Sequence, residues 1–167
     1  EQVTYQSGDL DLKAWLFVPQ GLGEEKRPAL VFFHSGFAFD LGAFDSCRSF
    51  ARAGFIILCP AVRGENGNPG ECELYLGEQD DAAAAVRWLA QHPSVDAGKI
   101  FTFGHGAGGV LSALLSLHDD LPIRLGGSTG GIYTRVLGPC DCDDHDAPFD
   151  DLDPVETFGC DDTFGDA

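Results

Sequence analysis

The sequence predicts an α/β fold. It would be a three-layer sandwich with a mostly parallel sheet and an N-terminal antiparallel hairpin, incomplete at its C-terminal end. Three observations predict it. First, Ala29–Phe33, Phe55–Cys59 and Ile100–Phe103 are continuously apolar, as strands covered on both faces must be. Second, helical periodicity separates and follows them, in Gln79–Gln91 and in the Leu-rich Val110–Leu117. Third, an alternating segment, Leu10–Val18, precedes them. Strands that alternate with helices build a parallel sheet through right-handed crossovers, and ligands of such sheets bind outside the carboxyl ends of the strands.

The elements follow in order. Gln2–Tyr5 and Leu10–Val18, joined across Ser7-Gly8-Asp9, read as the hairpin. Leu10, Leu12, Ala14 and Leu16 form its buried face; Asp11, Lys13 and Trp15 form a wet one. Pro19–Arg27 is a polar, Gly-rich loop. Ala29–Phe33 ends in His34-Ser35-Gly36-Phe37, where small residues leave backbone N–H groups free for a ligand. Phe44–Ala53 reads as one short helix closed by Gly54. Phe55–Cys59 is stopped by Pro60, and Arg63–Gly70 (RGENGNPG) is turn chemistry throughout. Gln79–Gln91 is the clearest helix: Asp80 and Asp81 sit in its first turn, where they favour the macrodipole, and Ala82, Ala85, Val86 and Leu89 form its apolar face. His92-Pro93 ends it. Ser94–Gly98 then turns the chain into the next strand. Beyond the Leu-rich helix, Arg124–Tyr133 holds one more short strand, weakened by its glycines. The globular core is expected over residues 1–138 and an acidic loop or tail over 139–167.

Composition narrows the function. A chain of 167 residues gives one domain with room for a core. The formal net charge of −17 argues against nucleic acid and anionic membrane surfaces as partners. No run approaches the ~20 apolar residues of a membrane span. No leader segment is visible, which favours a cytoplasmic location. The chain has no Met, so it reads as a processed product or a piece of something longer. Pro139–Ala167 contains Asp but neither Lys nor Arg, the pattern of a solvated acidic segment. Cys140-Asp-Cys142-Asp-Asp-His145 lacks the spacing of common zinc sites, so no metal is expected, and no cofactor either. Cys59 reads as a buried small hydrophobe, and six cysteines without a secretory signal do not establish disulfides.

The chemistry concentrates in Lys99–Leu117, KIFTFGHGAGGVLSALLSL. A buried strand breaks through glycines directly into a helix. Such a bend places one residue at its tip and aims helix N–H groups at whatever sits there. In the hydrolase pattern G-x-S-x-G the tip is Ser. Here the pattern is Gly104-His105-Gly106-Ala107-Gly108, and the tip, Gly106, has no side chain.

Four segments together, FFHSGF (32–37), LCPAVRGENGNPG (58–70), GEQDDAAAAVRWL (77–89) and KIFTFGHGAGG (99–109), resemble an α/β-hydrolase, closest to the prolyl oligopeptidase and dienelactone hydrolase branch. The resemblance covers residues 2–133. It implies an α/β-hydrolase-like sandwich and acyl-transfer hydrolysis of a small ester or peptide through a Ser–His–acid triad. It places the nucleophile at Gly106 and the oxyanion hole at the backbone N–H groups of Gly36, Phe37 and Ala107. His34, Ser35, Arg63 and His105 would line the pocket. Against the family pattern, Gly106 supplies no hydroxyl. The family's acid and His come after further strands, and His145, in the acidic segment, is not assigned as base. The chain is therefore expected to be inactive, either a hydrolase domain without turnover or a non-catalytic binding domain.

Other readings stand beside these. Gly104–Gly109 also fits G-x-G-x-x-G, the dinucleotide fingerprint, although several strands precede it and no acidic residue stands at the expected distance. His105 reads as a packing or hydrogen-bonding residue, His34 as a brace for the oxyanion loop, and Arg63 as one half of a structural salt bridge. Ser35 offers a hydroxyl with no base placed beside it. If the sheet stops near Gly126, its last strand is an unpaired edge that predicts a homodimer or coverage by Pro139–Ala167.

Overall fold

The computed structural model describes residues 1–21, 25–36, 38–39 and 41–131. The acidic segment, the Cys140–His145 cluster, Cys160, Tyr133 and the oxyanion candidate Phe37 lie outside the described residues. Six strands form one sheet in the order β1-β2-β4-β3-β5-β6. β1 (Gln2–Ser7) and β2 (Leu10–Phe17) are the antiparallel hairpin, and β2 also runs antiparallel to β4 (Ile56–Pro60). β3 (Arg27–Phe33) pairs parallel with β4 and with β5 (Val95–His105), and β5 pairs parallel with β6 (Ile123–Thr129). The strand order doubles back once, because β3 lies between β4 and β5.

Alternation along the strands divides the core in two. Ala29, Val31, Phe33, Ile56 and Leu58 face one way, with Leu12, Ala14 and Leu16 of the hairpin. Onto them pack Ala82, Ala85, Val86 and Leu89 of α3 (Gly77–Ala90) and Leu111 and Leu115 of α4 (Ala107–Leu115). Leu30, Phe32, Ile57 and Cys59 face the other way and meet Cys47, Phe50 and Ala51. Both faces of β3 and β4 are thus dry, as their unbroken apolar sequences require. Burying each of the Val, Leu, Ile and Phe side chains among them contributes about 1.5–3 kcal/mol.

Four sequence expectations are corrected. Phe44–Ala53 is two short helices, α1 (Leu41–Ser46) and α2 (Arg48–Arg52), broken at Cys47. Cys47 is drawn into the core beneath the break, so the segment follows its buried anchor rather than a continuous helix. The second face of β2 is not simply wet: Trp15 stacks on Phe39 with ring centroids 4.3 Å apart, and both pack on the Cys47–Cys59 cluster. β5 begins at Val95 rather than Ile100. Its first residue pairs with Arg27, across an irregularity in register that absorbs the polar Asp96–Lys99 stretch. Asp81 is no solvated helix-start charge; it is 0 % exposed. It receives Arg63 Nε and Nη2, each at 2.9 Å, and the Arg63 backbone N–H at 2.9 Å.

β1 and β6 are the outer strands among the described residues. β6 keeps Leu125 67 % exposed, beside an open cavity of about 430 Å³ between the end of α4 and the start of β6. No helix among the described residues is long and apolar enough to cross a membrane.

Tyr5 anchors the hairpin to the sheet, donating to the carbonyl of Ala61 at 2.8 Å from a buried position. Burial, then the nearby Asp81 and Glu65 carboxylates, push its phenol far above the ordinary value of 10.0. A folded-state pKa above the unfolded one means the folded chain holds its proton longer. This stability is fully present below pH 10 and falls as pH rises above it. Thermal melts from pH 9 to 11.5 are therefore expected to fall more steeply for the wild type than for Tyr5→Phe. That variant itself loses about 1 kcal/mol at neutral pH with the hydrogen bond.

Candidate functional site

The candidate site is the strand-to-helix elbow at the carboxyl end of β5. Gly106 sits at its tip with φ 58° and ψ −124°. This conformation is sparsely populated for residues with a Cβ. It is pinned on both sides: the Gly106 N–H donates to the carbonyl of Thr129 at 3.0 Å, and the Gly106 carbonyl accepts the Val110 N–H at 3.2 Å. Ala107 opens α4, so its N–H is one of the four at a helix start without an intrahelical acceptor. That is the donor an oxyanion hole needs.

The surrounding glycines are there because backbones nearly touch. A Cβ on Gly104 would overlap the Gly108 carbonyl, and one on Gly108 would overlap the carbonyls of Phe33 and His34. A Cβ on Gly109 would lie 2.8 Å from the Thr129 carbonyl. α4 is therefore pressed directly onto the ends of β3, β5 and β6. The outer glycines of the G-x-G-x-x-G run answer to close contacts, Gly104 with the first turn of α4 and Gly109 with β6.

The loop after β3 comes to the same place. A Cβ on Gly106 would lie 2.7 Å from Ser35 Oγ and 3.5 Å from Ser35 Cβ. The Ser35 hydroxyl therefore lies next to the seat of the missing side chain. Gly36 follows with φ 77°, a left-handed turn that glycine allows without strain. Beneath this loop His34 is buried. Its Nε2 is 3.1 Å from Glu65 Oε2, and its Nδ1 is 3.2 Å from the Ser35 carbonyl. Both ring nitrogens face oxygen atoms, so the ring is held at both ends. Glu65 Oε2 also accepts the Val62 N–H at 3.0 Å, which ties the loop after β4 to the loop after β3.

The structure brings Gly36, Ser35, His34, Gly106 and Ala107 together. It sets His105 and Arg63 to other work. His105 lies on the surface with Nδ1 3.1 Å from Thr129 Oγ1. Arg63 extends to Asp81 and, through Nη1, to Glu73 Oε1 at 2.7 Å. Its guanidinium lies across Gly77, where a Cβ would overlap it, so the glycine at the start of α3 makes room for the salt bridge. Two hydrogen bonds to Asp81, then the ion pair with Glu73, hold Arg63 well above its ordinary pKa. Sequence reasoning missed Glu65 and Asn66. Glu65 is the acid of RGENG and the partner of His34. Asn66 binds the Phe39 backbone in both directions, at 2.8 and 3.0 Å, and so fixes the stack on Trp15. An acid in a turn beside a buried histidine's loop was the available signal. Among the described residues no group of three or more His, Cys, Asp or Glu could hold a metal ion.

Two measurements check this geometry. Gly108→Ala forces a Cβ into backbone that cannot yield, so it is expected to cost more in urea unfolding than Gly106→Ala. The latter meets only a hydroxyl that can rotate, plus backbone strain of about 1–3 kcal/mol. Asp81→Ala leaves Arg63 without its main partner and is expected to cost about 3–5 kcal/mol.

Comparison with known proteins follows the same geometry. Residues 7–124 match the family described as X-Pro dipeptidyl-peptidase (S15 family). An uncharacterized peptidase of Bacillus subtilis (strain 168), YtmA, is 28% identical over 149 residues, which are 81% of this chain and 52% of that protein. The chain thus spans about half the length of that relative. The acylaminoacyl peptidase of Pyrococcus horikoshii superposes with a TM-score of 0.64 at 26% identity, over 79% of this chain and 23% of that one. Thermogutta terrifontis esterase 2, phosphorylated by paraoxon, gives a TM-score of 0.55 at 29% identity, over 66% and 45% of the two chains. An alpha/beta hydrolase from Penicillium, GrgF, shares the fold with a TM-score of 0.65 at 22% identity, over 74% and 43%. With the family match running from the hairpin to the start of β6, and the same sheet found in peptidases and esterases, the chain belongs to the X-Pro dipeptidyl-peptidase (S15) family on an α/β-hydrolase fold.

Proposed function

We propose that this chain is a serine-hydrolase-type domain whose elbow receives the acyl group of a small ester or peptide without hydrolysing it. One observation carries the reading: Gly106 keeps the bend of a nucleophile elbow, at φ 58° and ψ −124°, and has no side chain to attack with. The neighbouring parts support binding. The Ala107 N–H opens a helix at the tip, the Gly36 loop lies beside it, and the buried His34–Glu65 pair holds that loop from below. The relatives are named as peptidases and esterases, which supports an acyl ligand of that kind.

Magnitudes decide between turnover and binding. Removing the nucleophile of a triad costs about a millionfold, close to the cost of removing the whole triad. Backbone donors and binding alone retain about 10³–10⁴-fold over water. Ser35 does not replace the lost group, because both nitrogens of the adjoining His34 ring are engaged elsewhere, Nδ1 with the Ser35 carbonyl and Nε2 with Glu65. The site as built favours an acyl oxygen and lacks the means to cleave beside it.

The expected outcome is saturable binding without turnover. An X-Pro dipeptide amide should raise the melting temperature, while p-nitrophenyl acetate and an X-Pro p-nitroanilide are hydrolysed about a millionfold more slowly than by an intact triad. Ala107→Pro removes the N–H at a helix position that accepts proline, and should abolish the thermal shift while the fold persists. Ester hydrolysis at the rate of an intact triad, lost in Ala107→Pro, would mean the chain is an active hydrolase. A thermal shift unchanged in Ala107→Pro would place the ligand elsewhere.

A further inference from the structure

The seat of the missing side chain at Gly106 is bordered by a single residue. Apart from the adjoining His105 and Ala107, the three atoms nearest to it among the described residues all belong to Ser35. Its Oγ, Cβ and Cα stand 2.7, 3.5 and 3.9 Å from where a Cβ on Gly106 would be. Ser35 is exposed, and among the described residues no hydrogen bond engages its hydroxyl. Its backbone, by contrast, is held. The Ser35 carbonyl lies 3.2 Å from Nδ1 of His34, whose buried ring reaches Glu65 through Nε2 at 3.1 Å. We propose that Ser35 is a ligand-binding residue whose hydroxyl donates a hydrogen bond to the carbonyl oxygen of the bound acyl group, beside the N–H of Ala107. The assignment rests on the acyl-binding reading of the elbow.

Position supports it first. One torsion places a serine Oγ, so a fixed backbone leaves only the choice of rotamer open. With the loop already held by His34, little ordering is left to oppose binding. Chemistry supports it next. The oxygens of an ester or amide are acceptors, so a group that binds them at the elbow must donate, and a hydroxyl has one proton to give. Both nitrogens of the His34 ring are engaged elsewhere, so the ring does not take that proton, and Ser35 stays a donor rather than a nucleophile.

Exclusion links the hydroxyl to the glycine. A Cβ does not sit 2.7 Å from an oxygen it is not bonded to, so a side chain at 106 and this hydroxyl position cannot coexist. Ser35 Cβ and Cα stand at ordinary contact distances, so a side chain at the tip would displace the hydroxyl alone, by turning it to another rotamer. The bare tip therefore leaves the hydroxyl beside the helix start, where both donors can meet one oxygen. No covalent bond forms or breaks in this arrangement; the two donors hold an intact carbonyl.

A double-mutant cycle on the whole chain tests this. An X-Pro dipeptide amide is titrated calorimetrically into the wild type, Ser35→Ala, Gly106→Ala, the double variant and Ala107→Pro. Ser35→Ala removes an exposed hydroxyl, so its melting temperature without ligand should match the wild type. Its Kd is expected to rise about fivefold, the effect of one neutral hydrogen bond. Gly106→Ala turns the hydroxyl away, so adding Ser35→Ala to it should raise the Kd by no more than about twofold. A Ser35→Ala Kd equal to that of the wild type would overturn the assignment, and loss of binding in Ala107→Pro would then show that the acyl-site reading survives without it. The full rise in the Gly106→Ala background would also overturn it, because the hydroxyl would be acting away from the seat. If Gly106→Ala does not fold, the Ser35→Ala titration decides alone. Absence of saturable binding to the wild type would remove the acyl-site reading and this assignment together.

Discussion

The close approach of α4 to the strand ends is the constraint on which the site depends. A helix begins where β5 stops, and its first turn is pressed onto the carbonyls of β3 and β6 with no room for a Cβ at Gly104 or Gly108. Such contact gains dispersion energy and hydrogen bonds only if side chains stay out, hence the glycines. It also fixes the direction of the Ala107 N–H and the distance to the Ser35 loop. The chemistry available at the tip is a by-product of how tightly the backbone is packed beneath it.

A second layer of interactions holds this arrangement from below. The loop after β4 is tied by side chains whose partners are buried: Arg63 by an ion pair to Asp81, and Glu65 by a contact to His34 Nε2. Neither pair need add much net stability, since desolvating charges offsets most of the attraction. What they add is position. Asn68 binds the carbonyls of Ala61 and Val62 through its amide nitrogen, and accepts the Lys13 N–H at its oxygen. The loop that looks like plain turn chemistry in sequence is thereby fastened to the hairpin, to β3 and to α3 together.

Much of the fold was legible because periodicity reports burial. Ala29–Phe33 and Ile56–Cys59 are apolar at every position and lie in strands buried on both faces, although the second strand starts after Phe55 and runs through Pro60 rather than stopping at it; Gly77–Ala90 shows its face at helical spacing and is a helix. The elbow was legible because a glycine run between a strand and a helix has few other uses. Partnerships were less legible. Asp81 reads as a helix-start charge because sequence shows its neighbours along the chain, whereas Arg63 reaches it from another loop. Trp15 reads as solvated because Phe39, which covers it, lies on a different segment. The break at Cys47 was hidden for a related reason. Local propensity favours one helix there, and the pull of the core on a single small side chain decides otherwise.

Gly106 carries a last consequence. A serine at φ 58° would hold its reactive group up only by enduring an unfavourable backbone, a cost of about 1–3 kcal/mol that the rest of the molecule must absorb. Glycine rests there at ease. At this one turn durability and reactivity are in opposition, and a glycine stands on the relaxed side of that exchange.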